Sequence, residues 1–261
     1  MELSLYQVDA FTSRVFGGNP AAIVPLGGWL PDATLQSIAV ENNLSETAYF
    51  VANGDRYHLR WFTPGQEVDL CGHATLASAF VIFTRLRPEL EKIAFDTRSG
   101  PLIVTRKSDG MLSMDFPSRS PEPCAVDSRL KRALGGKPKQ VLGARDYFVV
   151  YETEDEIRAL KPDFRELGKV DRFATIVTAP GKDCDFVSRF FGPAAGVDED
   201  PVTGSAHCSL IPYWAKRLGK STLKALQVSA RVGELWCQDD GDRVHIAGHA
   251  VEYLRGTIQV P

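Results

Sequence analysis

The chain lacks the short signatures by which most cofactor-using enzymes are recognised. It has no Gly-x-x-x-x-Gly-Lys phosphate loop, no Gly-x-Gly-x-x-Gly fingerprint, no Cys-x-x-Cys pair and no evident serine-nucleophile elbow. Those absences favour a reaction that needs no cofactor. Cysteine is scarce: Cys71, Cys124, Cys184, Cys208 and Cys237 are scattered and odd in number, which argues against a disulfide framework and points to a reducing, cytoplasmic setting. There is no basic run and the net charge is −3, so a nucleic-acid partner is not expected. No stretch approaches a membrane span, and Met1 to Gln7 has neither a basic n-region nor a long apolar segment. With 44% hydrophobic and 24% charged residues, the 261-residue chain reads as soluble and globular, long enough for two domains with separate cores.

What the chain does have is an internal echo. Cys71-Gly72-His73-Ala74 returns 132 positions later as Thr203-Gly204-Ser205-Ala206. Trp61-Phe62-Thr63-Pro64 returns after 129 as Phe190-Phe191-Gly192-Pro193, and Gly100 with Leu102 returns after 133 as Gly233 with Leu235. A period near 130 residues is far too long for a solenoid, so it predicts two similar domains facing one another across a ligand cleft.

Short alternating runs predict strands, among them Ser4 to Phe11, Thr47 to Val51, Tyr57 to Phe62, Asp185 to Phe191 and Leu226 to Ala230. Helices are fewer. One opens at Pro31-Asp32 and runs to about Asn42, and Thr153 with Glu156 forms a capping-box pattern for another, to Leu160. The segments Gly72 to Thr84 and Gly204 to Leu218 are nearly free of charge until their last turns, as central helices wrapped by strands would be. The expected fold class is α+β: two domains related by a pseudo-twofold, each a mostly antiparallel sheet curled around one buried helix. The Pro- and Ser-rich stretch 117–123 is the expected linker, giving domains 1–118 and 119–249, with the tail 250–261 able to return to the first as a strand.

Each central helix would start at a glycine, Gly72 or Gly204, where unpaired N–H groups and the helix dipole favour an anion such as a carboxylate. Glu46 has no acidic counterpart in the second copy around Ala174-Thr175, and a catalyst acting on an asymmetric ligand needs such a break in symmetry. Asp200 stands three residues before Thr203, where it could cap the second helix. His73 lies in a first helical turn, which disfavours the imidazolium and predicts a neutral ring. His245 and His249 have no third ligand, so no metal is predicted.

Val8-Asp9-Ala10-Phe11-Thr12, Gly18-Asn19-Pro20-Ala21-Ala22, Leu44-Ser45-Glu46-Thr47, Phe62-Thr63-Pro64, Asp69-Leu70-Cys71-Gly72-His73-Ala74-Thr75 and Glu199-Asp200-Pro201-Val202-Thr203-Gly204-Ser205-Ala206 resemble, in order, the phenazine-biosynthesis PhzF-like family. The resemblance implies a diaminopimelate-epimerase-like fold and a cofactor-independent isomerase. It implies Glu46 as the acid–base residue, with His73 and Asp200 beside it. Gly72, His73, Gly204, Ser205 and Asn19 would bind a small carboxylate-bearing, amino acid-like substrate, cyclic ones included, and the family points to a homodimer. Two alternatives stay open: an amino- or hydroxy-acid epimerase or racemase, and a binding protein that has lost the reaction. Epimerases of this fold that use two opposed cysteines depart from the present chain, which offers Cys71 in one copy but Thr203 in the other.

Overall fold

In the computed structural model, which describes residues 1–261, the chain divides into two compact units, Met1–Asp115 with Ala247–Pro261 and Phe116–Ile246. The cuts thus fall after Asp115 and Ile246, whereas the sequence reading puts them after 118 and 249.

The first unit runs β1 (Glu2–Ala10), β2 (Asn19–Leu26), α1 (Asp32–Asn42), β3 (Glu46–Asn53), β4 (Arg56–Phe62), β5 (Glu67–Val68), α2 (Gly72–Val81), β6 (Lys92–Thr97), β7 (Gly100–Arg106) and β8 (Leu112–Pro117). Strand β1 pairs antiparallel with β2 on one side and with the C-terminal strand Ala250–Gln259 on the other. The β2–β3 and β4–β6 joints are parallel, while β3–β4, β4–β5, β6–β7 and β7–β8 are antiparallel. Helix α2 is buried along nearly its whole length and packs against β1, β2 and β3. Its polar residues are compatible with burial because Thr75 and Ser78 donate their hydroxyls to the carbonyls of Cys71 and Ala74, one turn back. The predicted helix to Thr84 changes character after Val81, where Ile82–Leu86 widens into a π turn. A second core under α1 joins Leu35, Ile38 and Ala39 to Leu5, Val24, Tyr49 and Phe62.

The second unit repeats this plan. After β9 (Glu122–Pro123) and α3 (Ser128–Leu134) come β10 (Gln140–Gly143), β11 (Tyr147–Val150), α4 (Glu154–Ala159), α5 (Phe164–Leu167), β12 (Thr175–Pro180), β13 (Phe186–Gly192), β14 (Val197–Asp200), α6 (Gly204–Leu218), β15 (Thr222–Gln227), β16 (Gly233–Asp239) and β17 (Arg243–Gly248). Its parallel joints fall at the matching places, β11–β12 and β13–β15, with antiparallel pairing at β10–β11, β12–β13, β13–β14 and β15–β16. The fold class is therefore α+β, two similar domains each with a mostly antiparallel sheet about one helix. The predicted capping box is present, Thr153 accepting from the Glu156 N–H while the Glu156 carboxylate accepts from the Thr153 N–H. Two expectations need correction. Residues 117–123 are not a plain linker, since β8 runs through Pro117 and Glu122–Pro123 pair with β10. The strand placed at Leu226 to Ala230 instead runs Thr222–Gln227, with Leu223, Ala225 and Gln227 as the inward positions and Lys224 facing out. No helix is long and apolar enough to cross a membrane.

Candidate active site

In the first unit three element starts converge. Helix α1 ends at Asn43, whose left-handed conformation (φ 47°) turns the chain so that Glu46 becomes the first residue of β3. Asn19 is the first residue of β2, and the turn before it requires glycine: Gly18 has φ +58°, and a Cβ there would lie 2.0 Å from the Ala10 carbonyl oxygen. Helix α2 opens at Gly72 with extended Cys71 as its N-cap, so His73 stands in the first turn.

These starts bring Asn19, Glu46, Cys71 and His73 into contact. His73 is buried, with Nε2 3.0 Å from Glu46 Oε2 and Nδ1 3.1 Å from the Asn19 amide nitrogen. Cys71 Sγ lies 3.5 Å from Nδ1. Glu46 Oε2 is itself buried and has no well-aligned hydrogen bond; the His73 contact is close enough for an ion pair but off the line of a straight bond. Burial works against the His73 cation, but Cys71 and Glu46 beside it outweigh that and raise its pKa well above the ordinary imidazole value. Burial, with the Glu46 charge adding to it, also pushes the Cys71 thiol up to about 11, so the sulfur is protonated at neutral pH and Glu46 is the charge that matters to the imidazole. The neutral ring expected from the helix N-terminus is thus corrected: a helix end is worth roughly 0.3–1 kcal/mol, and a carboxylate in contact exceeds it. The Asn19 amide can serve either charge state, its nitrogen facing a bare Nδ1 and its oxygen an Nδ1–H. Glu46, Cys71 and His73 also place three metal-ligand atoms within 4.8 Å of one another, a grouping not anticipated from the sequence.

In the second unit Asp200, Gly204 and Ser205 surround the start of α6. Asp200 does not cap this helix; the N-cap is Thr203, and its hydroxyl donates to Asp200 Oδ2. Buried Gln227 holds the turn from below, accepting from the Thr203 N–H at 2.8 Å and donating to the Asp200 carbonyl at 2.8 Å and to Thr203 Oγ1 at 3.1 Å. Arg145, bound to Asp146 and lying over the Phe173 ring, reaches Ser205 Oγ at 3.3 Å. His207 is fully buried one turn into α6, its Nδ1 2.9 Å from the Thr203 carbonyl, and burial depresses its pKa to about 4. Gln227, Arg145 and His207 were not singled out from the sequence. Only Gln227 left a signal there: a polar residue in phase with the apolar positions Leu223 and Ala225.

The family profile described as phenazine biosynthesis-like protein, PhzC-PhzF, matches residues 8–256. The chain belongs to this family. A relative from Pseudomonas aeruginosa named an uncharacterized isomerase is 53% identical over 261 residues, covering all of both chains. The crystal structure of a PhzF-family phenazine biosynthesis protein from Enterococcus faecalis superposes with a TM-score of 0.97 at 48% identity, again over the whole of both chains. A hydroxyproline epimerase from Agrobacterium vitis shares the fold alone, with a TM-score of 0.61 at 10% identity over 98% of this chain and 92% of that one. In this PhzC-PhzF chain, four of the six stretches quoted for the resemblance span the two helix starts and the beginnings of β2 and β3, and the other two lie at the ends of β1 and β4.

Proposed function

We propose that this PhzC-PhzF family member is a cofactor-independent isomerase in which Glu46 moves a proton within a small, carboxylate-bearing substrate of amino acid type, a cyclic one included. The observation that carries the reading is the state of Glu46 Oε2: buried, without an aligned hydrogen-bond partner, and against an imidazole. A buried carboxylate oxygen left this way costs free energy that packing alone would have removed, and reactive groups are a recurrent reason for keeping one. Its lone pairs are free to take a proton from carbon. His73, 3.0 Å away, stabilises the charge while the proton is in transit or passes it on, and Asn19 fixes the plane of its ring. No metal or redox group enters these steps. The Gly72 helix start supplies N–H donors for the substrate's carboxylate, and in the second unit the Gly204 helix start, Ser205 and Asp200 offer groups of the kind that hold a polar ligand. The isomerase names of the curated relatives agree with this reading. A two-cysteine racemase is disfavoured, since Thr203 occupies the place of a second thiol and its hydroxyl is committed to Asp200.

The test is proton exchange followed by NMR in deuterated water, with wild type and Glu46→Gln incubated with cyclic and acyclic amino- and hydroxy-carboxylates, a dihydro-hydroxyanthranilate among them. Deuterium uptake that needs Glu46 is the expected result. A Glu46→Gln enzyme that exchanges at a comparable rate would sink the assignment.

A further inference from the structure

The three side chains around His73 offer sulfur, nitrogen and oxygen within reach of a single ion. We infer that Glu46, Cys71 and His73 form a binding site for a thiophilic divalent cation, zinc in the first place, and that its occupation switches the proton-transfer site off. The separations are close to those required. Tetrahedral zinc with ordinary bond lengths holds its sulfur, nitrogen and oxygen ligands roughly 3.4–3.6 Å apart. Here His73 Nε2 is 4.0 Å from Cys71 Sγ and 3.0 Å from Glu46 Oε2, and all three donor atoms lie within 4.8 Å of one another. Cys71 Sγ lies nearer Nδ1, at 3.5 Å, than Nε2, at 4.0 Å, so a turn of the Cys71 or His73 side chain is needed to close the set around an ion, leaving a fourth position for water, as in open zinc sites. One thiolate, one imidazole and one carboxylate favour zinc and related ions over magnesium or calcium, which take oxygen alone.

The chemistry balances without any change of oxidation state. The ion displaces two protons to solvent, one from the Cys71 thiol and one from Nε2 of the imidazolium, leaving a neutral ring that keeps its other proton on Nδ1. Asn19 then plays the part that an outer hydrogen-bond partner plays for a ligating histidine, turning its amide oxygen towards the Nδ1–H. The Glu46 side chain keeps 17% of its surface exposed, so the group is reached from solvent. A carboxylate bound to metal can no longer accept a proton from carbon. That inhibitory consequence rests on the role proposed for Glu46; the binding does not.

The two are separated by measuring binding without substrate. Metal-free full-length protein is titrated with Co²⁺, whose thiolate-to-metal charge-transfer band reports sulfur ligation, and Zn²⁺ is then added in competition. The expected result is one equivalent bound with that band, displaced by zinc, and in Cys71→Ala the band lost and zinc affinity lower by roughly two orders of magnitude. Wild type without the band, or Cys71→Ala that keeps it through any of the other four cysteines, overturns the site. His73→Gln, which spares the sulfur, is expected to weaken binding as well, and unchanged affinity there would equally count against it. If exchange activity is found, Zn²⁺ should abolish it reversibly in wild type, and whatever activity Cys71→Ala has should need roughly a hundredfold more Zn²⁺ for the same fractional loss. If none is found but cobalt binds as described, the metal site stands and the proton-transfer reading falls.

Discussion

The start of α2 and the start of α6 occupy the same place in the same order of elements, yet their surroundings differ in kind. Around Gly204 the backbone and hydroxyl of Thr203, the carbonyl and carboxylate of Asp200 and the Gln227 amide are tied to one another. Around Gly72 the neighbours are an acid, a thiol and an imidazole, and one carboxylate oxygen is left without an aligned partner. A lone pair spent on a hydrogen bond is poorly placed to react, whereas one held in reserve is available. On the proposed reading the two like scaffolds divide the labour: the first helix start carries the groups that move a proton, and the second carries a tied network that holds polar groups in place.

That contrast predicts unequal responses. Glu46→Gln should lower kcat by about 10³, on the order of 4 kcal/mol, with ligand affinity within a few-fold of wild type, as read by deuterium exchange and calorimetry. If affinity falls as steeply as turnover, the first helix start is also a grip and the division fails. The next effect concerns stability and belongs to the second unit. His207 has a pKa of about 4 when folded against 6.5 for an ordinary imidazole. Between those values the unfolded chain binds the proton that the folded one refuses, so stability drops as pH falls from about 6.5 to about 4 and levels off below. The loss is about 3 kcal/mol, measured as urea midpoints against pH, and His207→Phe should flatten that segment.

Gln227→Leu keeps the bulk of the side chain but removes the acceptor of the Thr203 N–H and a donor to the Asp200 carbonyl in a buried turn. It should cost about 2 kcal/mol in urea unfolding. A change of the same kind beside the first helix start, Asn19→Leu, is expected to alter the pH profile of exchange more than stability, because Asn19 partners a titrating ring. Smallest is Asp200→Asn, expected to raise KM about tenfold, near 1.4 kcal/mol, with kcat less affected. A fall in kcat as large as that of Glu46→Gln would place proton chemistry at both helix starts.

The fold was legible wherever local chemistry and periodicity agreed. Helix α6 could be read to the residue because a glycine opens it and Gly219, left-handed at φ 67°, closes it. Strand β2 could not, since its buried residues do not alternate and Pro20 and Pro25 interrupt the pattern that marks a strand. The π turn at Ile82–Leu86 has no sequence mark either, for the apolar run through it is continuous. At the site, Glu46 and His73 are 27 positions apart, a spacing that carries no geometric information; their adjacency follows from β3 and α2 packing together. Cys71, which motif and family pattern alike left idle, acquires chemistry only through its distance from His73.

The pairing of β1 with Ala250–Gln259 has a consequence for the order of events during synthesis. Those last residues leave the ribosome after the whole of Phe116–Ile246, so the unit that comes second in the chain can complete its sheet first. Until then β1 waits with one edge bare, an invitation to wrong partners that the arriving strand withdraws. The residues that would carry the chemistry are therefore built on the part of the molecule that finishes last.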